Sequence, residues 1–212
     1  MKKTPIEVFG EWVSMGKDEG MEKNHEESVD NMISFATKDL INFSFIDAGC
    51  GNGWVVRSVA SLPNCIQATG IDGALKMIQK AKKLDLKNKY ICNDILLWKP
   101  KNKVDLVHSM EVFYYLKKPQ KLIQHVFSNW LKEGARLIIG LDFYSENSSS
   151  HSWPEECGIS IMSLFSESEW KTFFSEVGFK EISSWHSGVK KNWGGTLICL
   201  LYTSDAADEE DS

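Results

Sequence analysis

Three glycines that alternate with other residues, Gly49, Gly51 and Gly53, constrain this chain more than any other feature. An apolar run at 43–47 predicts a short buried strand before them, and residues 54–61 predict the start of a helix after them. The glycines therefore lie in a strand-to-helix turn, where the missing Cβ atoms let the backbone bend sharply and approach a ligand closely. The sequence predicts a ligand-binding turn at this point of an α/β fold.

The residues around the turn narrow the ligand to one kind of nucleotide. Asp72 ends the next apolar run about twenty residues later, where an acid suits the two hydroxyls of a ribose. A dinucleotide-binding turn needs its third glycine one position later, where Trp54 stands, and no Lys-Ser or Lys-Thr pair follows as in a phosphate-binding P-loop. Asp47 precedes the glycines, and a carboxylate there repels a pyrophosphate but suits a ligand that carries an ammonium group.

With these motifs in register, residues 43–198 resemble the class I S-adenosylmethionine-dependent methyltransferases, whose first motif is an acid followed by G-x-G-x-G. By this resemblance, Asp47 orders the glycine turn and helps to hold the methionine ammonium, and Asp72 binds the ribose hydroxyls. The segment that contains Asp94 and Ile95 is similar to the family's third cofactor motif. There the acid accepts a hydrogen bond from the adenine amino group, and the following backbone N–H binds a ring nitrogen.

The resemblance implies S-adenosylmethionine as the cofactor, and the cysteine and histidine spacings predict no metal site. Met77 has two open interpretations, an apolar contact with adenine or a core residue of the helix at 74–84. The cofactor-binding residues that the resemblance implies are Asp47, Gly49, Gly51, Gly53, Asp72, Met77, Asp94, Ile95, Ser109 and Met110.

Methyl transfer from a sulfonium is an in-line displacement with a neutral leaving group, so the motifs predict the cofactor better than the acceptor. A general base is needed only when the acceptor atom carries a proton that has to leave. The candidate catalytic residues are Tyr115, Glu111 and His25. A structural role for each lone histidine stays open. The acceptor cavity is expected to be built from His25, Glu111, Tyr114, Tyr115, Asp142, Tyr144 and His151. The loop at 144–154 is long for a turn, which is typical of a functional lid.

Strand and helix patterns alternate along the chain, which predicts an α/β fold with a doubly wound, mostly parallel sheet. The resemblance adds a Rossmann-like, seven-stranded sheet with an antiparallel last strand. The predicted strands are 43–47, 66–71, 90–92, 104–108, 136–142, 179–185 and 196–202, and the predicted helices are 54–61, 74–84, 119–131 and the segment that follows a capping box at 166–169.

Three regions are expected along the chain: a helical lid at 1–40, a methyltransferase domain at 41–198 and a tail at 199–212. Within the first region, 16–25 is interpreted as a polar hinge between two amphipathic helices; simple packing of these helices on the sheet edge stays open. Residues 199–209 resemble the translation of a transposase adapter used in preparing sequencing libraries. The tail is therefore interpreted as non-native, with a natural acidic tail as the alternative.

Length and composition favour one enzyme domain over other classes of protein. With 212 residues and 42% hydrophobic content, the chain can bury a single core, and no apolar run is long enough to span a bilayer. Five cysteines without a C-x-x-C pair predict a reduced, cytoplasmic protein. The formal net charge of −5 becomes 0 without the five acids at 205–212, so it indicates no partner.

The expected partner is a small-molecule acceptor, with no nucleic acid and no membrane favoured and the oligomeric state left open. Nine lysines between 76 and 103 are interpreted as a solvated face, because acids lie among them. The alternatives to a small-molecule methyltransferase are an RNA or protein methyltransferase of the same fold and a non-catalytic S-adenosylmethionine-binding protein.

Overall fold

The computed structural model describes residues 2–204, which form one seven-stranded sheet covered by helices. The strands are β1 (Phe43–Ala48), β2 (Cys65–Asp72), β3 (Lys89–Cys92), β4 (Val104–Met110), β5 (Leu131–Leu141), β6 (Lys180–Ser187) and β7 (Thr196–Tyr202). The helices are α1 (Pro5–Ser14), α2 (Lys17–Ala36), α3 (Trp54–Ala60), α4 (Leu75–Leu84), α5 (Pro119–Asn129), α6 (Trp153–Glu156) and α7 (Glu167–Val177).

The strand order is β3-β2-β1-β4-β5-β7-β6, with β1 to β5 parallel and β7 antiparallel to both of its neighbours. This topology confirms the predicted Rossmann-like sheet with an antiparallel last strand. The order reverses between β1 and β4, and ligands of such sheets bind beyond the carboxyl ends of the strands at this reversal. The glycine turn follows β1 at that point, so the strand order and the glycine turn predict a ligand site at the same edge of the sheet.

Two hydrophobic clusters, one on each face of the sheet, hold the layers together. Successive side chains of a strand point to opposite faces, so Ile46 packs with Leu122 of α5 while Phe45 packs with Val56 of α3 and Ile78 of α4. Because both faces are covered, the central strands read as continuous apolar runs rather than as alternating ones.

Local sequence signals set the ends of two helices. Thr4 caps α1 in a capping box with Glu7, and Pro5 occupies its first position. Ser166 caps α7 in the same way, and Gly178 ends it in the left-handed conformation. These boundaries are set by local hydrogen bonds, which explains why sequence alone predicts them.

The predicted polar hinge at 16–25 is wrong. Gly16 alone breaks the chain, with φ 70°, and α2 begins at Lys17 and continues to Ala36. The polar residues are mostly good helix formers, Asp18 and Glu19 favour a helix N-terminus, and Gly20 costs the helix only about 1 kcal/mol.

Strand β5 begins at Leu131, which is earlier than the predicted residue 136. A register irregularity in its pairing with β4 separates the added first part of the strand from the predicted part.

The end of the described chain completes the sheet. Residues 199–202 form the second half of β7 and are largely buried between β5 and β6. Residues 205–212 of the predicted tail lie outside the described residues, and the interpretation of 199–212 as non-native stays a prediction. Among residues 2–204, every helix is too short or too polar to cross a bilayer.

Candidate functional site

The carboxyl ends of β1 to β4 surround one cleft, which holds two adjoining cavities of about 50 and about 290 Å³. Asp47 lines the smaller cavity, whereas Asp72 and Asp94 line the larger one. The residues that line both cavities are Met21, Gly49, Gly51, Met77, Met110 and Glu111. The three acids that the sequence singled out therefore rim a common cleft around the glycine turn.

The three glycines have different reasons to lack a side chain. All have positive φ, but a Cβ at Gly49 would overlap the side chain of Val112, and a Cβ at Gly53 would overlap the ring of Tyr90. A Cβ at Gly51 would meet nothing closer than the sulfur of Met77 at 3.9 Å. Gly51 is thus the glycine that faces open space in the cleft, whereas Gly53 lines neither cavity and serves packing.

Asp72 is tied into the glycine turn by its backbone partners. Its Oδ2 accepts a hydrogen bond from the N–H of Gly51 at 3.0 Å, and its Oδ1 accepts one from the N–H of Ala74 at 2.7 Å. Burial raises the pKa of this carboxyl above its ordinary value, although these two hydrogen bonds oppose that shift. A carboxylate has about four acceptor positions, so Asp72 can still accept from two ligand hydroxyls.

Asp47 has a buried partner that the sequence reasoning missed. Oδ1 of Asp47 lies 2.7 Å from Nδ1 of His108, and both side chains are almost completely buried. The register of β1 and β4 places the two residues directly opposite each other. The only sequence signal for this contact is a histidine inside an apolar strand, and that signal does not indicate which residue the histidine contacts. Nε2 of His108 is buried without a hydrogen-bond partner.

Asp18 joins the N-terminal helices to the glycine turn, which the sequence also did not predict. Its Oδ2 lies 2.6 Å from Nζ of Lys80 on α4 and accepts from Nδ2 of Asn52 at 3.0 Å. Asp18 and Asn52 both line the smaller cavity, and Oδ1 of Asp18 is buried without a partner. An acid in the first turn of a helix is usually a solvated residue, so this role has no local signature.

Helix α1 and the residue before it form part of the wall of the larger cavity. Ile6 and Phe9 line it, together with Thr4 and Pro5 at the start of the helix. A Cβ at Gly73 would lie 2.7 Å from Cδ1 of Ile6, so the glycine after Asp72 leaves room for α1 to pack there. The N-terminal helices thus contribute to the cleft itself rather than only to the sheet edge.

The third predicted motif lies at the mouth of the larger cavity. Asp94 is exposed, its Oδ1 accepts from the N–H of Leu96 at 2.8 Å, and Ile95 lines the same cavity. The acid therefore caps a turn and retains free acceptor positions toward the cavity.

Two of the other three predicted cofactor residues line the cleft. Met77 is 2% exposed and lines both cavities, so its two interpretations, core residue and cleft wall, are compatible. Met110 also lines both cavities. Ser109 lines neither; it is buried, and its Oγ donates to the carbonyl of Ala48 at 2.8 Å, which ties β4 to the end of β1.

A third cavity, of about 450 Å³, adjoins the cavity of about 290 Å³. The two share Phe9, Met21, Glu111 and Tyr115 as lining residues. Its remaining wall is rich in indole rings, namely those of Trp12, Trp153 and Trp193, the last two stacked with centroids 5.9 Å apart. We call it the acceptor cavity, because its size is typical of a small-molecule site.

Three titratable side chains from three elements meet at the wall of the acceptor cavity. Nε2 of His25, on α2, lies 3.5 Å from Oδ2 of Asp142, which follows β5. Glu111 follows β4 with φ 60°, a conformation that costs a residue other than glycine of order 1–3 kcal/mol. Its two oxygens accept from the N–H of Asp142 and from the hydroxyl of Tyr114.

The charges of this cluster are strongly coupled. Burial raises the pKa of Glu111 to about 8, helped by the nearby Asp142 carboxylate. Burial alone lowers the pKa of His25, but Asp142 and Glu111 outweigh it and raise that pKa to about 9. Burial, and next Glu111, raise the pKa of Tyr115 well above its ordinary value, so its hydroxyl stays protonated.

The structure brings together four of the seven residues that were expected to build the acceptor cavity. His25, Glu111, Tyr115 and Asp142 line it. The other three lie outside its lining: Tyr114 is fully buried behind Glu111, Tyr144 donates to the carbonyl of Gly195 at 3.1 Å, and His151 contacts the carbonyl of Tyr144 at 3.3 Å.

The loop at 144–154 is folded rather than extended. It contains a short 3₁₀ turn at Ser148–Ser150 and leads into α6, and Trp153 reaches the acceptor cavity. Asn147 holds the loop in place, because its Nδ2 donates to the carbonyl of Asp142 at 2.8 Å and its Oδ1 accepts from the N–H of Gly194 at 3.1 Å. Cys157 lines the same cavity, and burial raises the pKa of its thiol, which makes it a poor nucleophile.

Comparison with known proteins identifies the sequence family. A family model described as a methyltransferase domain matches residues 20–184. The chain is also 29% identical over 133 residues to a predicted methyltransferase, 235L, of Invertebrate iridescent virus 6. That alignment covers 63% of this chain and 46% of the viral protein, so the match spans less than half of the viral protein's length.

Solved structures share the fold. One belongs to the complex between the Haloferax volcanii Trm112 methyltransferase activator and a predicted methyltransferase; it has a TM-score of 0.77 and 24% identity and covers 92% of this chain and 97% of its own. The N-methyltransferase NodS from Bradyrhizobium japonicum, solved in complex with S-adenosyl-L-homocysteine, has a TM-score of 0.68 and 17% identity, with coverages of 84% and 86%. At such identities the likeness concerns the fold.

Proposed function

The chain belongs to the methyltransferase-domain family and has the fold of the class I S-adenosylmethionine-dependent methyltransferases. On that premise, we propose that it methylates a small molecule bound in the acceptor cavity. The methyl donor would be S-adenosylmethionine, held in the cleft around the glycine turn. Its adenosine would occupy the cavity of about 290 Å³, and its methionine end would reach the cavity of about 50 Å³.

One observation carries the proposal: the cleft and the acceptor cavity share Phe9, Met21, Glu111 and Tyr115 as a common wall. An in-line displacement needs donor and acceptor in contact at a place from which water is excluded. Two cavities that meet at one boundary supply this geometry. The acceptor cavity, at about 450 Å³, suits a small molecule better than a polymer.

The roles that we propose for the cofactor residues follow from their positions. Asp72 would accept from both ribose hydroxyls, and Gly51 would let the cofactor lie against the backbone. Asp94 and Ile95 would bind the adenine edge, with Met77 against its face. Asp18 and Asp47, the two aspartates that line the smaller cavity, would bind the methionine ammonium, since each retains acceptor capacity beyond its protein partners.

At the acceptor side, the proposed catalytic residues are Tyr115, Glu111 and His25. Tyr115 would donate a hydrogen bond that orients the acceptor, because the raised pKa keeps its hydroxyl protonated. Glu111 and His25 lie where an acceptor proton would leave, and Asp142 stands beside them. The departing S-adenosylhomocysteine is neutral at sulfur, so the protein need stabilise no new charge on the leaving group.

Titration calorimetry with S-adenosylhomocysteine tests the cofactor assignment, and labelled S-adenosylmethionine with a metabolite extract tests turnover. We expect saturable binding and a labelled product of low molecular mass. Absence of binding to folded protein would refute the proposal. Binding without turnover of any extract would favour the alternative of a non-catalytic cofactor-binding protein.

An RNA or protein methyltransferase of the same fold is the second candidate. It is favoured by the complex of a structural neighbour with the activator Trm112 and by the exposed lysines that flank β3. A lysine face that engages phosphates would make RNA binding weaken steeply as salt rises, because counterions are released on binding. Label that appears in macromolecules rather than in metabolites would decide for this candidate.

A further inference from the structure

The cluster formed by His25, Glu111 and Asp142 brings one imidazole and two carboxyl groups together, and these side chains present only acceptor atoms to one another once they have lost their protons. The candidate atoms, one from each side chain, lie within 4.8 Å of one another. Nδ1 of His25 lies 2.8 Å from the carbonyl of Met21, and a carbonyl only accepts, so Nδ1 carries the proton. In the neutral ring, Nε2 is then a lone pair that faces the carboxylate of Asp142 at 3.5 Å.

The side chain of Asp142 supplies a second, independent observation that points to a ligand. Its side chain is 7% exposed, and its Oδ1 is buried without a hydrogen-bond partner. A buried carboxylate oxygen without a partner carries a substantial desolvation cost, which a bound cation removes. Asp142 lines the acceptor cavity, so a ligand from solvent can reach it.

The surroundings of the three side chains resemble the outer shell of a metal site. A ligating histidine usually donates its other ring N–H to a carbonyl, as His25 does to Met21, and ligating carboxylates are in turn hydrogen-bonded. Glu111 accepts from the N–H of Asp142 and the hydroxyl of Tyr114, and each of its oxygens retains one free position. These contacts fix the orientation of Glu111 and His25 before any ion arrives.

We propose that His25, Glu111 and Asp142 bind one divalent transition-metal ion, such as Mn²⁺, Fe²⁺, Co²⁺ or Zn²⁺, at the wall between the cleft and the acceptor cavity. One imidazole and two carboxylates suit these ions better than Mg²⁺ or Ca²⁺, which prefer oxygen alone. Ligand distances of about 2.0–2.2 Å require the three side chains to approach each other by roughly 1–2 Å.

The role of the ion, unlike its binding, rests on the proposed function; with the ion bound, Glu111 and His25 would act as its ligands instead of accepting the proton of the methyl acceptor. Because Glu111 lines both the cleft and the acceptor cavity, an acceptor hydroxyl bound to the ion lies beside the methyl donor. Coordination would lower the pKa of a bound hydroxyl, whose proton would pass to solvent through the acceptor cavity. The oxygen would then bond to the methyl carbon as the carbon–sulfur bond breaks, and neutral S-adenosylhomocysteine would leave. The assignment therefore points to an oxygen acceptor.

Calorimetric titration of chelator-treated protein with MnCl₂ tests the site, and the visible d–d absorption of Co²⁺ reports its coordination. We expect one equivalent to bind, with affinity reduced at least tenfold in Asp142→Asn and His25→Gln. The control is His186→Gln, which removes a histidine that lies 3.8 Å from the carboxylate of Glu167, and it should bind as the wild type does. Circular dichroism establishes that each variant is folded.

Two results would overturn the metal assignment. One is the lack of saturable Mn²⁺ or Co²⁺ binding by wild-type protein that still binds S-adenosylhomocysteine, which leaves the proposed function intact. The other is equal metal affinity in Asp142→Asn and wild type, which places the ion elsewhere. Binding of a primary amine to the metal-free protein with the same variant dependence, and no metal binding, would identify an ammonium site instead.

Discussion

Asp18 and Lys80 form an ion pair, with Oδ2 and Nζ 2.6 Å apart, that joins helix α2 to helix α4 beside the glycine turn. Asp18 is 2% exposed, and the same oxygen accepts from Asn52 of the turn. Lys80 also contacts the exposed Glu19 at 3.0 Å. The pair therefore anchors the N-terminal helices over the cleft and places a carboxylate at the methionine end of the proposed cofactor site.

The variant Asp18→Asn should discriminate between two ligands that share the adenosine part. Its amide retains the shape but loses the charge, so S-adenosylhomocysteine should bind about 1–3 kcal/mol more weakly, the range for a lost hydrogen bond to a charged group. 5′-Methylthioadenosine lacks the amino-acid end and should bind as before. Calorimetry with both ligands measures this, and Glu19→Gln is the matched surface control. Equal losses for both ligands would mean that Asp18 only supports the helices.

The variant Asp72→Asn should weaken the binding of S-adenosylhomocysteine and of 5′-methylthioadenosine by similar amounts. The proposed partners of Asp72 are the ribose hydroxyls, which both ligands contain, and charge-assisted hydrogen bonds exceed neutral ones in strength. The expected loss is about 1–3 kcal/mol for each ligand by calorimetry. Unchanged affinity for 5′-methylthioadenosine would show that the ribose assignment is wrong.

Gly51→Ala and Gly53→Ala form a matched pair that separates ligand binding from folding. Both positions have positive φ, so either alanine costs about 1–2 kcal/mol of backbone strain. A Cβ at position 53 would also overlap Tyr90, whereas one at position 51 enters the open cleft. Gly53→Ala should therefore lower Tm more, and Gly51→Ala should reduce S-adenosylhomocysteine affinity more. The reverse order would contradict the assignment of these two glycines.

Asp85 should make stability depend on pH in the acid range. Partial burial raises its pKa, but hydrogen bonds from Asn88, Lys87 and Tyr90 outweigh that effect and bring the pKa to about 2. A carboxyl whose folded pKa is depressed contributes stability above its unfolded pKa of about 3.9, and this contribution is lost as pH falls through the folded value.

The variant Asp85→Asn should accordingly lower the free energy of unfolding at pH 7 by on the order of 1 kcal/mol, a modest effect because the group is largely solvated. The difference from wild type should shrink as pH falls from about 4 to about 2. Urea titrations across this range measure it. A difference that is the same at pH 3 and pH 7 would rule out the carboxylate as its source.

Local signals in the sequence were sufficient for much of the fold. The alternation of strands and helices, the capping boxes at Thr4 and Ser166 and the glycine turn after β1 all depend on residues within a few positions of each other. The same kind of signal failed at 16–25, where the glycines suggested a hinge but the helix propensity of the intervening residues prevailed.

By itself, the sequence determined the class of fold, the edge of the sheet where the cleft lies and the acids that rim it, because strand ends and turns are set by short-range chemistry. Only the tertiary structure decided which polar side chains meet. Asp47 faces His108 through the register of two strands, and Asp18 reaches Lys80 across two helices. His25 and Asp142 likewise come from distant elements. Such contacts depend on strand order and helix packing, which result from burial of the whole core and leave no mark in the local pattern.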